Sequence, residues 1–181
     1  MASVISTPSR TAPGTARLQL LSALAVALGG AATLAGAWFF QLVVGLAPCP
    51  LCLEQRIPYY AGVPLALLAA VVAARGRPGV ARLLLAVVAV LLAGGAALAL
   101  YHAGVEWKWW PGPATCSGAG PVQSTNILAD MQQARVVRCD EAPWRLFGVS
   151  LAGWNVLIAA TLAVVALRAA IGSHGSSSVS Q

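Results

Sequence analysis

Residues 18–41 read LQLLSALAVALGGAATLAGAWFFQ, without one charged side chain. The charge-free stretch is longer still, from Arg17 to Glu54. A helix needs about 20 apolar residues to cross the hydrocarbon of a bilayer, so this run reads as a membrane span. A secretory leader is the competing reading, because Ala35-Gly36-Ala37 resembles a cleavage site. The apolar part of a leader is only about 7–15 residues long, and this run is much longer. Working outward, three more apolar runs follow. They cover residues 57–74 between Arg56 and Arg75, 83–101 after Arg82, and 146–167 between Arg145 and Arg168. Backbone groups in lipid must satisfy their own hydrogen bonds. The expected fold is therefore all-α, a four-helix integral membrane bundle. Membrane helices tolerate prolines such as Pro58 and Pro64. Gly29, Gly30, Gly94 and Gly95 allow helices to approach closely.

Composition agrees. Of 181 residues, 59% are hydrophobic and 9% charged, whereas a soluble domain carries about a quarter charged residues. There are no internal repeats. Residues 1–17, rich in Ser, Thr, Pro and Gly, and 172–181, rich in Ser, are expected to be disordered tails. Residues 18–171 form the single membrane domain. The formal charge of +6 does not mean a nucleic-acid partner, because the arginines are scattered between apolar runs instead of forming a basic patch.

Charge also orients the chain. With the N-terminus inside, Arg10, Arg17, Arg75, Arg77, Arg82 and Arg168 lie inside with no acid. Arg56, Lys108, Arg135, Arg138 and Arg145 lie outside, against Glu54, Glu106, Asp130, Asp140 and Glu141. Cytoplasmic loops favour Lys and Arg, so both termini are assigned to the cytoplasm. The long second outer loop carries acids as well as bases and can be translocated.

All four cysteines then face the outer, oxidising side, where disulfides persist. Cys49-Pro50-Leu51-Cys52 is a C-x-x-C at the start of the second span. Helix N-termini favour thiolates, and Pro48 and Pro50 suit a first helical turn. Arg56 follows Cys52 by four residues, on the same helical face. It either holds a thiolate or an anionic acceptor, or is an ordinary interfacial arginine extended toward the headgroups. Cys116 and Cys139 are separated by about two dozen residues, which suits a long-loop disulfide better than a zinc site built from two C-x-x-C units. Redox pairs, structural bridges and a metal site all remain open on the residues alone.

The second outer loop, from about His102 to Arg145, is far longer than a helix connection needs, and such loops are usually functional. Cys116 sits in a Pro- and Gly-rich setting that another protein can reach. Ile127, Leu128, Met131 and Val136 mark a short interfacial helix or ordinary packing. Trp107, Trp109 and Trp110 read as an interfacial aromatic belt or the border of an apolar cofactor pocket. His102 and Glu106 are candidates for proton handling, or simply interfacial residues.

Together these features resemble the DsbB family, the quinone-dependent disulfide bond formation proteins of bacterial inner membranes. The carriers are Cys49-Pro50-Leu51-Cys52 with Arg56, Pro113-Ala114-Thr115-Cys116, and Cys139 ahead of Trp144, Phe147-Gly148 and the last span. Tyr101-His102-Ala103-Gly104-Val105-Glu106 is also similar to that family. Relatives of vitamin K epoxide reductase have their loop cysteines before the C-x-x-C; here the C-x-x-C comes first. The resemblance implies a periplasmic thioredoxin-fold partner of the DsbA type, whose thiolate attacks Cys116 of a Cys116–Cys139 disulfide. Electrons then pass to Cys49–Cys52 and on to ubiquinone or menaquinone. It also implies that Cys52 and Arg56 meet the quinone, with His102 a further cofactor-side candidate, and that no metal is held. The rival is a non-catalytic membrane scaffold whose two disulfides are structural.

Overall fold

The computed structural model describes residues 13–116 and 138–172. Residues 1–12 and 173–181 of the two expected tails lie outside them, but residues 13–17, expected in the first tail, instead open the first helix, with Pro13 at its start. The interfacial helix expected around Ile127, Leu128, Met131 and Val136 also lies outside the described residues. Four helices are long and apolar enough to cross a membrane. Helix α1 is Pro13–Leu42, and a short α2, Pro50–Glu54, leads through Gln55 and Arg56 into α3, Ile57–Ala74. Helix α4 is Pro78–Glu106, and the last helix, here α5, is Leu151–Ile171. The chain is an all-α membrane bundle, as expected.

Each helix end has a local cause. Pro78 and Pro58 sit in the first turns of α4 and α3, where a missing N–H costs nothing. Gly76, at φ 71°, reverses the chain between α3 and α4. The fourth apolar run departs from expectation at its start. Residues 145–150 form a two-residue hairpin, with Arg145–Leu146 (β1) paired antiparallel to Val149–Ser150 (β2). Phe147 and Gly148 both have positive φ, 52° and 79°, the conformation of a tight hairpin turn. The helix waits for Ser150, whose hydroxyl accepts from Gly153 N–H at 3.1 Å as an N-cap.

The helices run up and down in a ring, with α1 beside α3, α3 beside α4, α4 beside α5, and α5 closing back on α1. Small residues line the shared axis, with Ala66, Ala69, Leu85, Val88, Ala159 and Ala166 fully buried. Of the four glycines singled out above, three stand at close helix contacts. A Cβ on Gly29 would meet Leu162 at 2.8 Å, on Gly30 Val63 at 2.8 Å, and on Gly95 Pro58 at 3.1 Å, while Gly94 faces open space. The outward faces are apolar: Leu28, Leu42, Leu83 and Val90 are more than 60% exposed, as lipid contact requires.

This ring brings the end of α1, α2, the start of α3, the end of α4 and the start of α5 to one end of the bundle. Every cysteine is there. Arg17, Arg75, Arg77, Arg82 and Arg168 are at the other end.

Candidate functional site

Cys49 caps α2. Its sulfur accepts from the Cys52 backbone N–H at 3.1 Å, and Pro50 occupies the first helical position. The C-x-x-C therefore opens a helix of its own, one turn ahead of the second span. Cys49 and Cys52 are free thiols, and Cys116 and Cys139 are disulfide-bonded. The two pairs are in contact: Cys49, Leu51, Val105, Cys116 and Cys139 form one buried cluster, with Cys52 and Leu98 packed against it. Cys49 holds its proton well above the usual thiol range. Its hydrogen bond with Cys52 is the first cause and burial the second.

Arg56 caps α3 and is buried, at 9% exposure. One guanidinium N–H donates to Gln41 Oε1 at 2.7 Å, and the group lies 5.4 Å from the Trp38 ring centroid, a cation–π contact. An arginine extended toward water would make neither contact. Cys52 and Arg56 both line a cavity of about 520 Å³ between α1 and α5, within the range of small-molecule sites. Its walls are mainly apolar, with Phe40, Leu34, Trp154 and Ile158 among them. Gln41, Gln55, Tyr59, His102 and Asn155 add polar groups. Trp107, Trp109 and Trp110 are not on these walls. They meet one another edge to face, Trp110 stacks on Tyr101, and Trp110 Nε1 donates to the Tyr101 carbonyl at 2.9 Å.

His102 lies 3.7 Å from Cys49 through Nε2 and 2.6 Å from Gln55 through Nδ1. Its ring is also within reach of the Cys139 backbone. Gln55 Oε1 accepts from Asn155 Nδ2 at 2.7 Å, and Asn155 Oδ1 accepts from the Tyr59 hydroxyl at 2.6 Å. A partly buried polar chain thus runs from α3 through α5 and back to the cysteines. Glu106, one turn beyond His102, has Oε1 3.9 Å from Nε2 and is hydrogen-bonded by Ser150. The ligand-type atoms of Cys49, Cys52 and His102 lie within 4.8 Å of each other. Nδ1 of that histidine is already taken up by Gln55 Nε2.

At the rim, Lys108 and Arg138 both grip Asp140, at 2.5 Å and 2.8 Å. Arg138 first and Lys108 second hold the Asp140 carboxyl well below the usual carboxylate range. This ties the segment around Cys139 to the end of α4.

Two cysteine pairs in contact, one of them opening on an apolar cavity beside a buried cation, is the arrangement of a thiol–disulfide relay. Residues 19–169 match the family described as Disulfide bond formation protein DsbB. The chain belongs to the DsbB family. Similar proteins include Disulfide bond formation protein B of Verminephrobacter eiseniae, 32% identical over 78% of this chain and 80% of that one. Disulfide bond formation protein B 2 of Pseudomonas syringae pv. syringae is 33% identical over 84% and 87%. Disulfide bond formation protein B of Xanthomonas campestris pv. campestris is 33% identical over 82% and 88%. No solved structure matches. As a DsbB-family protein the chain is a quinone-dependent protein-disulfide oxidoreductase of the membrane.

The sequence singles out Cys49, Cys52, Arg56, His102, Cys116 and Cys139, and the fold brings them to one end of the bundle. Gln41, Gln55, Tyr59, Trp154 and Asn155 were not singled out. The signal that marks Asn155 is simple: a polar amide inside the last apolar run, where such residues are functional by default.

Proposed function

We propose that electrons enter at Cys116–Cys139, pass to Cys49–Cys52, and leave from Cys52 into a quinone held in the α1–α5 cavity. The contact between the two cysteine pairs carries this reading, because exchange needs a thiolate attacker within reach of a sulfur. The donor is a periplasmic thioredoxin-fold protein of the DsbA type. Its thiolate attacks Cys116, which follows the Pro111–Pro113 segment. The enzyme lies in the inner membrane, with both termini cytoplasmic and the cysteine end in the periplasm.

The cavity fits a quinone: it is apolar, of suitable size, and polar at the cysteine end. When bound, a quinone supplies the two-electron sink that thiol chemistry lacks. Cys52 presents its sulfur to that space. Arg56, held by Gln41 and Trp38, puts a fixed cation beside it, and His102 is a further polar wall residue. A scaffold with structural bridges has no use for a buried arginine facing an apolar cavity.

The test is quinone reduction by purified protein with a reduced thioredoxin-fold partner. Cys116→Ser and Cys139→Ser should abolish oxidation of the partner while Cys49–Cys52 is still reoxidised by quinone. Partner oxidation at the wild-type rate in Cys116→Ser would overturn the relay.

A further inference from the structure

The polar chain behind Cys49 has a direction. The Tyr59 hydroxyl donates to Asn155, Asn155 donates through Nδ2 to Gln55, and Gln55 donates through Nε2 to His102 Nδ1. Each amide has one accepting and one donating end, so turning any member over forces the others to turn. The far end agrees with this polarity. His102 Nε2 faces the Cys49 sulfur and a carboxylate oxygen of Glu106, groups that call for an N–H. Gln55, His102 and Tyr59 are buried and Asn155 is half-buried, so each polar end has its partner within the chain of contacts.

We propose that Tyr59, Asn155 and Gln55 hold His102 as the Nε2–H tautomer, and that this N–H donates to the Cys49 sulfur when it leaves a disulfide with the electron pair. The idea rests on the relay described above. In the relay, one thiolate of the reduced second-loop pair attacks Cys49. The Cys49–Cys52 bond breaks with its electron pair on Cys52, and Cys49 is left joined to the loop. The second loop thiolate attacks the loop sulfur of that mixed disulfide. That bond breaks with its electron pair on Cys49, and Cys116–Cys139 is restored. Two electrons have moved. Thiolates enter and thiolates leave, so no proton transfer is needed within the step.

The structure holds the pairs as they stand afterwards, with the loop bonded and Cys49 free. A departing thiolate in a buried cluster is costly unless a donor meets it. The side-chain N–H facing Cys49 is that of His102. His102 and the three residues behind it are thus positioning residues for the exchange step, the three acting through the imidazole.

The chain has two histidines, so His174→Gln leaves His102 as the single reporter. Nitrogen-15 NMR of ring-labelled protein in the reduced state should show a neutral imidazole protonated at Nε2 near pH 7. Asn155→Asp keeps the shape but leaves only acceptors there. Gln55 must then donate to it and turn its oxygen to Nδ1, so His102 should become protonated at Nδ1. In a background with Cys52, Cys116 and Cys139 replaced by Ser, His102→Phe should raise the apparent Cys49 pKa by about one pH unit, read from thiolate absorbance. A wild-type imidazole protonated at Nδ1, or an unchanged Cys49 titration in His102→Phe, overturns the proposal. The Asn155→Asp spectrum decides the matter if His102→Phe fails to fold. Quinone reduction by the reduced thioredoxin-fold partner, retained in wild type and lost in Cys116→Ser, distinguishes the two failures. If it persists while the tautomer is wrong, the relay stands and this inference falls.

Discussion

Arg56 is where charge and geometry converge most closely. Its guanidinium donates to Gln41 and lies over Trp38 while lining the cavity beside Cys52. Lysine keeps the charge but loses the planar fork that suits both contacts; methionine loses charge and fork together. Quinone turnover should fall in the order wild type, Arg56→Lys, Arg56→Met, with a rising apparent KM for quinone. Partner exchange at Cys116–Cys139 should be nearly unchanged. Steady-state kinetics with varied quinone measure the first, and a single-turnover exchange assay the second. Equal quinone kinetics in wild type and Arg56→Met would leave Arg56 an anchor only. Asp140 gives a contrasting case. Its pKa is depressed in the folded protein, so its link to Arg138 and Lys108 is present above the ordinary carboxylate value. It is lost only as pH falls through the lower folded value. Exchange with the partner should therefore show no step near pH 4 from this group. Being exposed, the link should weaken with added salt. A pH–rate profile at two ionic strengths separates these effects.

At the scale of elements, the helices follow from apolar run length and proline placement. Sequence reading located α3 at both ends and the end of α1 to one residue, but began α1 five residues late and left α4 five residues short at each end, because helices continue past the apolar run into interfacial residues such as Arg17, Arg82 and His102. It placed the start of the last span too early, because Leu146, Phe147 and Val149 are as apolar as the helix that follows. Hydropathy does not register the positive φ of Phe147 and Gly148. The candidate site divides along the same line. Cys49, Cys52 and Arg56 are separated by a helical turn or less, and local spacing reveals their shared face. Gln55 and Asn155 are 100 residues apart and His102 and Cys49 53; only packing brings them together. For Trp107, Trp109 and Trp110 the aromatic-belt reading stands and only the alternative, a border of the cavity, falls. Trp107, Trp109 and Trp110 lie near cysteines in sequence, yet Trp154 and Trp38 are the ones at the cavity and at Arg56. Helix contact itself is testable at Gly95, which faces Pro58 across α3 and α4. Gly95→Leu should destabilise the bundle by about 1–3 kcal/mol through overpacking, whereas Gly94→Leu, facing open space, should be close to neutral. Unfolding in detergent mixtures compares the two.

For the whole molecule, the ring of helices separates function from anchorage. Cysteines, His102 and cavity occupy one end, and an arginine collar, without acids among the described residues, occupies the other. Both termini should be cytoplasmic. After reduction, all four cysteines should lie on the side reached by membrane-impermeant thiol reagents, with denaturation exposing any that are buried. A C-terminal reporter active only in the periplasm would reverse the assignment.

The ring also has one joint unlike the rest. Short connections tie α1 to α3 and α3 to α4, and the chain continues from α4 into α5. No connection ties α5 to α1, and the cavity lies along that joint. Four staves with three hoops open at the untied edge. For the quinone proposed above, an opening along that joint would be a doorway from the bilayer itself, entered sideways without crossing water. Gly29 against Leu162 is the doorjamb. Gly29→Leu should slow turnover of long-tailed quinones more than short-tailed ones, and equal slowing of both would mean that the guest enters from above.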